Sequence, residues 1–234
     1  MKILVIIPAY NEEENLGLLL ESIKNYDYVD VLVINDCSTD KTVDVCKRHS
    51  VKFIDLPNNL GIGGAVQTGY QYAEMNDYDI AIQVDGDGQH KPEFIPHLIK
   101  PIIEQRADMV IGSRYLNKEG FQSSKIRRVG IRHFSRLIKI LLKRKVTDPT
   151  SGFRACNKSV ICFFSKNYPA DYPEPETIVT LLRNKLNVVE IPVVMNSREY
   201  GTSSISKFKS IYYMVKVSLA ILIDFFREDN KEIA

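Results

Sequence analysis

YDIAIQVDGDGQH, residues 78–90, passes from an apolar run straight into two aspartates, Asp85 and Asp87, separated by one glycine. A short apolar run that ends in turn chemistry reads as a buried strand leaving its sheet. The same pattern appears twice upstream: Ile3–Ile7 runs into Pro8-Ala9-Tyr10-Asn11-Glu12, and Val31–Ile34 into Asn35-Asp36-Cys37-Ser38. Val51–Ile54 and Met109–Ile111 read as further strands, and helical spacing fills the gaps at about 13–25, 39–49, 61–76 and 92–105. This alternation predicts an α/β, Rossmann-like fold with a mostly parallel sheet and helices on both faces. Ligands of such sheets sit at the carboxyl ends of the strands. The three polar loops are therefore expected to share one crevice.

Farther along, residues 121–147 read as a basic amphipathic helix. A helix near 174–186, a strand at Val188–Val194, a polar loop at 196–204 and a last apolar helix near 205–227 follow. The expected division is a domain at 1–204 with a C-terminal apolar or interfacial helix and tail at 205–234. With 234 residues, 44% hydrophobic and 26% charged, the chain has the composition of a folded soluble protein. Its net charge of +2 says little about partners. Four cysteines without CxxC spacing suggest reduced cytosolic thiols. The N-terminal apolar run meets Pro8 and three acids, a strand and helix start rather than a signal peptide. No run of about 20 apolar residues is available to span a bilayer.

Asp85 and Asp87 are candidate oxygen ligands for a hard divalent cation, Mg²⁺ or Mn²⁺, which binds through one or two carboxylates together with substrate phosphates. An EF-hand is excluded, because His90 and Pro96 stand where its glycine and its bidentate glutamate belong. A solvated acidic turn is the plainer alternative. Asp36, at the end of a strand, can accept from a ribose hydroxyl or a base N–H, or can cap a helix. Gly61, Gly63 and Gly64 follow the third strand rather than the first, so they are expected to let a helix pack closely on the sheet, not to bind a dinucleotide.

Six stretches now stand in order: VIIPAYNEEENL, VINDCSTDKT, NNLGIGGAVQTGY, QVDGDGQH, VIGSRY and DPTSGFRACN. Together they resemble a family 2 glycosyltransferase of the GT-A fold, similar to the dolichol- and polyprenyl-phosphate sugar synthases, over the chain to about residue 215. The resemblance implies that Pro8, Ala9, Tyr10 and Glu12 hold the nucleotide base and ribose, with Asp36 beneath them. It makes Asp85 and Asp87 the metal pair, with Gly86 against the donor and Gln89 as a further ligand. Arg198 resembles the family's late loop that closes over the phosphates. Arg114 and Arg154 offer the planar fork that grips phosphate, though a structural salt bridge is the alternative for each.

Lys125 to Lys145 holds nine Lys/Arg and no acid. On a helix, Arg128, Arg132, Arg136, Lys139 and Lys143 form one stripe, and Ile126, Phe134, Leu137, Ile138 and Leu141 another. Such a helix suits an anionic membrane surface. No stacking platform accompanies it, so nucleic acid is not expected. Arg128, Arg132, Ser151 and Arg154 are the candidates for a lipid phosphate. Ile211–Phe226 could lie in the interface, pack on a small membrane subunit, form a homo-oligomer seam or belong to the core. A lipid phosphate is already ionised and needs positioning and charge balance, for which Arg114, Arg128 and Arg198 are candidates. A hydroxyl acceptor needs a base, and ADYPEPE supplies Asp171, Glu174 and Glu176, of which Asp171 and Glu176 are taken as candidates.

The expectation is an inverting, metal-dependent transferase acting on polyprenyl phosphate at the cytoplasmic membrane face. A UDP-sugar donor is favoured over GDP-mannose. Transfer to a saccharide or protein hydroxyl, or a non-catalytic nucleotide-sugar-binding scaffold subunit, are the alternatives.

Overall fold

A computed structural model describes residues 1–197 and 207–226. Seven strands form one sheet in the order β3-β2-β1-β4-β6-β5-β7. They are β1 (Ile3–Ala9), β2 (Asp30–Asn35), β3 (Lys52–Asp55), β4 (Ile80–Gln83), β5 (Met109–Ser113), β6 (Arg154–Asn157) and β7 (Val188–Pro192). The pairings β1–β2, β1–β4, β2–β3 and β5–β7 are parallel. Strand β6 runs antiparallel between β4 and β5. Every residue of β1 is buried, as expected for a strand covered on both faces.

The helices are α1 (Leu16–Ile23), α2 (Thr42–Arg48), α3 (Gly61–Met75), α4 (Ile95–Ile103), α5 (Lys125–Leu142), α6 (Lys158–Lys166), α7 (Pro173–Arg183) and α8 (Lys207–Phe226). Alternation along β1 and β2 divides the core. Leu4, Ile6, Leu32 and Ile34 face a layer with α3, α6, α7 and α8, while Ile3, Val5, Ile7 and Val33 face one with α1 and α4. The last helix shares this core, since its Val217 and Ile221 are buried beside Phe134 and Ile138 of α5.

Several expected boundaries shift. Helix α1 begins at Leu16 because residues 12–15 form a turn in which Asn15 and Leu16 N–H both donate to the Glu12 carbonyl. Helix α5 is shorter than residues 121–147. The Ser124 hydroxyl caps it by accepting from Arg127 N–H, and Lys143 closes it in a left-handed conformation at φ 54°. Strand β6 and helix α6 are additions to the sequence reading. The glycine expectation is corrected in part: a Cβ on Gly63 would meet the Pro169 and Ala170 carbonyl oxygens at 2.2 Å, so its close neighbour is a loop. Gly69 is the glycine pressed onto the sheet, 2.3 Å from Ile6 by the same measure.

Candidate active site at the strand ends

The three polar loops do meet. Asp36 N–H donates to the Ala9 carbonyl at 2.9 Å, and Gly86 N–H to the Pro8 carbonyl at 3.3 Å, so the β1 end sits between the other two. Asn11, at φ 55°, donates its N–H to the Ser38 hydroxyl and accepts from Thr39 N–H at 2.8 Å. Glu12 N–H donates to Thr42 Oγ1, Glu13 N–H donates to the Asp40 carboxylate, and the Glu13 carboxylate accepts from Lys41 N–H across the same gap. These bonds fix one rim of the crevice before any ligand arrives.

Of the residues expected around the nucleotide, Tyr10 presents an exposed ring. Pro8 and Ala9 are buried and their carbonyls are engaged as above. Glu12 is buried and accepts from Asn15 Nδ2 at 2.7 Å. Asp36 turns one carboxylate oxygen onto Leu60 N–H at 2.7 Å, at the start of α3. The helix it caps is therefore α3, whereas Asp40 serves the start of α2 through Thr42. Burial pushes the Asp36 carboxyl up, against the Leu60 and Gly61 N–H groups that favour its charge.

The acidic turn is held from below. Gln83, fully buried at the end of β4, donates Nε2–H to Asp85 Oδ1 at 3.1 Å. A Cβ on Gly152 would lie 2.8 Å from Asp85 Oδ2, so only glycine leaves this carboxylate its place. Asp87 Oδ1 accepts from Gln89 N–H at 3.1 Å, and the Gln89 amide donates to the Asn196 carbonyl. The described residues contain no group of three or more His, Cys, Asp or Glu able to hold a metal alone. Two carboxylates and an amide make a partial, oxygen-rich donor set, the kind completed by phosphate oxygens around Mg²⁺ or Mn²⁺. The chemistry of the residues present fits such a cation. A cleft of about 480 Å³ touches the turn at Asp87 and Gly88, but its far wall is α1, and neither Tyr10 nor Asp36 lines it.

Arg114 lies within electrostatic reach of Asp85. Its guanidinium makes a bidentate pair with the fully buried Asp148, at 2.7 and 2.8 Å. Asp148 is held in turn by its N–H donating to Glu190 of β7 at 2.8 Å. The Arg114 guanidinium lies 5.5 Å from the centre of the Tyr115 ring, and Arg127 and Arg128 act on the same phenol.

Four site expectations are corrected. Arg154 is buried, and its guanidinium donates to the Ser151, Pro149 and Glu174 carbonyls and to the Thr177 hydroxyl. Ser151 is buried with its hydroxyl on the Gly112 carbonyl at 2.7 Å. These two brace the site from within, and neither reaches a surface where a lipid phosphate could sit. Among the acids, Asp171 is exposed and paired with Lys216 of α8. Glu176 lines a separate groove with Lys166, Thr180 and Asp224. The carboxyl that feels Asp85 and Arg114 is Glu174; burial raises it, the Arg154 charge lowers it, and Asp85 raises it again. Arg128 and Arg132 stand on α5 with Arg132 exposed, and Arg198 lies outside the described residues.

Gln83, Gly152 and Asp148 were not singled out from sequence, and Glu174 was named there as a possible base but not taken as a candidate. Gln83 did leave a signal: a polar side chain inside the apolar run Ile80–Val84 must be buried and must find a polar partner.

Residues 4–164 match the family described as Glycosyl transferase family 2. A UDP-N-acetylglucosamine–dolichyl-phosphate N-acetylglucosaminyltransferase of Methanococcus voltae is 31% identical, covering 95% of this chain and 98% of its own. An undecaprenyl-phosphate mannosyltransferase of Micrococcus luteus is 32% identical over 88% of each. Among solved structures, glucosyl-3-phosphoglycerate synthase of Mycobacterium tuberculosis, in complex with Mn²⁺, UDP-glucose and phosphoglyceric acid, superposes with a TM-score of 0.74. That match covers 98% of this chain and 81% of the other at 18% identity, and it identifies the fold as GT-A.

Proposed function

The chain belongs to glycosyl transferase family 2, and on that premise we propose that this glycosyltransferase moves a hexose or N-acetylhexosamine, with inversion, from a nucleotide sugar to a polyprenyl phosphate. The observation that carries the acceptor is Arg114, whose guanidinium lies 5.5 Å from the centre of the Tyr115 ring, with Arg127 and Arg128 of α5 acting electrostatically on the same phenol. A phosphate monoester needs charge balance and alignment there, and its own ionised oxygen attacks. The acceptor activities named for the relatives from Methanococcus and Micrococcus support this choice. UDP is the favoured nucleotide, with GDP-mannose as the other candidate donor.

On the donor side, Tyr10 and Asp36 flank the base and ribose. Asp85, Asp87 and Gln89 would hold Mg²⁺ or Mn²⁺, and such a cation offsets the diphosphate charge as the nucleotide leaves. Gln83 and Gly152 keep the Asp85 carboxylate turned to its task.

The membrane part of the reading rests on two neighbouring helices. Helix α5 exposes Arg132, Arg136 and Lys139, while α8 exposes Tyr212, Val215, Leu219, Ile223 and Phe226. The two pack together through the Phe134 and Tyr213 rings and through His133 Nε2 and Ser218 Oγ at 2.8 Å. No helix among the described residues is long and apolar enough to cross a membrane. The pair fits peripheral attachment at the cytoplasmic face, with cations on the headgroups and the apolar stripe in the interface. A small membrane subunit or a second copy of the chain would meet the same stripe.

One observation favours a hydroxyl acceptor instead. Glu174, raised by burial and within electrostatic reach of Asp85, has the character of a general base. The product separates the readings. Incubated with Mn²⁺, radiolabelled UDP-sugars or GDP-mannose and polyprenyl phosphate, the enzyme is expected to put label into an organic-extractable, mild-acid-labile product. Asp87→Ala should abolish that signal. Label confined to water-soluble glycan, lost in Glu174→Gln, would reverse the choice of acceptor.

A further inference from the structure

His90 has one ring nitrogen on the backbone of the acidic turn and the other facing its first carboxylate. Asp85 N–H donates to His90 Nδ1 at 3.0 Å. That bond fixes the tautomer, because an accepting Nδ1 carries no hydrogen and the neutral ring then bears it on Nε2. Nε2 stands 3.7 Å from Asp85 Oδ2, a favourable approach rather than a second hydrogen bond. The ring itself cannot swing. It is 4% exposed and lies flat on Phe153, with centroids 4.8 Å apart and planes at 10°. Phe153 is fully buried and belongs to the same loop as Gly152, whose missing Cβ makes room for the Asp85 carboxylate. Gln83 holds the other carboxylate oxygen.

We propose that His90 is a positioning residue for the cation site: through its Nδ1 acceptor it sets the conformation of the Asp85–Asp87 turn and thereby aims both aspartates. The inference rests on the reading of those aspartates as metal ligands and adds a residue that touches neither metal nor substrate. Its neighbour Gln89 comes within the same effect, since Gln89 N–H is already bonded to Asp87.

Substitutions at one ring separate aiming from packing. His90→Phe keeps a flat ring against Phe153 and removes both nitrogens. His90→Asn gives up the stacking but puts an amide oxygen where Nδ1 accepts. His90→Gln carries its amide one bond farther and leaves Asp85 N–H without that acceptor. Phe153→Leu keeps both nitrogens and removes the stacking surface. The full chain with UDP is titrated with Mn²⁺, free Mn²⁺ is followed by its electron paramagnetic resonance signal, and each melting temperature is measured alongside. His90→Phe and His90→Gln are expected to weaken Mn²⁺ uptake by about 10–100-fold, the usual cost of losing a group that orients a ligand. His90→Asn should recover most of it. Phe153→Leu should lower the melting temperature with a much smaller change in Mn²⁺ affinity. The Asn and Gln variants read the same contrast should the Phe variant not fold. Wild-type affinity in His90→Gln, or a loss in Phe153→Leu as large as in His90→Gln, overturns the role given to His90. An unsubstituted enzyme that takes up no Mn²⁺ with UDP overturns the cation site itself, and the inference with it.

Discussion

Arg114 and Asp148 are the residues on which the charge balance of the crevice turns. The carboxylate is wholly buried and the guanidinium nearly so, with two parallel hydrogen bonds between them. Removing one member of such a pair strands the other charge away from water. Asp148→Ala is therefore expected to cost about 3–5 kcal/mol in urea-unfolding free energy. Replacing both, as Arg114→Met with Asp148→Leu, should cost clearly less than the sum of the single changes, because no buried charge is left over. Additive losses would mean that the pair is not coupled as the geometry indicates. At this scale the sequence shows a charge but not where it points. Arg154 reads like Arg114, yet the Arg154 guanidinium hydrogen-bonds main-chain carbonyls and a hydroxyl, while the Arg114 guanidinium pairs with the Asp148 carboxylate within electrostatic reach of Asp85. The acids of ADYPEPE divide the same way: the left-handed turn at Tyr172, φ 50°, helps send Asp171 and Glu174 to different neighbours.

Elements were legible wherever hydrophobic period and length agreed. Six strands and the helices between the first five stand close to their expected places, because mostly apolar runs bounded by Pro, Asp or Gly leave few alternatives. Strand β6 escaped because it is four residues long and begins with a buried arginine, and α6 follows it with no loop between. An inserted strand of that kind depends on partners far away in the chain, here β4 and β5. Helix α5 shows the legible case: Phe134 and Ile138 are buried, as their spacing requires, and the cationic stripe is outside. If that stripe meets anionic lipid, each cation contributes on the order of 1 kcal/mol. Replacing Arg132, Arg136 and Lys139 by Gln should then weaken sedimentation with anionic liposomes by about 100-fold or more at low salt. The difference should shrink as ionic strength rises. Replacing Leu219 and Ile223 of α8 by Ser should weaken binding at every salt concentration, since apolar burial is not screened. Liposome binding unchanged by both sets would remove the interfacial face.

At the scale of the whole molecule, the sheet divides the core into two layers, and each contains one buried thiol. Cys46 of α2 lies in the layer with α1 and α4; Cys156 of β6 lies in the layer with α3 and α6. Burial pushes the Cys46 thiol up to about 11 and the Cys156 thiol up to about 12, so at pH 8 both stay protonated as well as shielded. Cys37 and Cys162 are partly exposed. Ellman's reagent on the native protein at pH 8 should thus react promptly with two thiols and leave two silent. The silent pair then reports how the halves are joined. Strand β1 sends Leu4 and Ile6 to one layer and Ile3, Val5 and Ile7 to the other, so neither layer can open without breaking the shared strand. In urea at equilibrium, Cys46 and Cys156 are expected to become reactive at one common midpoint, as a single cooperative unit requires. Two separate midpoints would mean that one layer can come apart while the other holds. The acidic turn, which leans on Phe153 in one layer and on Gln83 beneath the crevice, would then lose its aim before the protein unfolds.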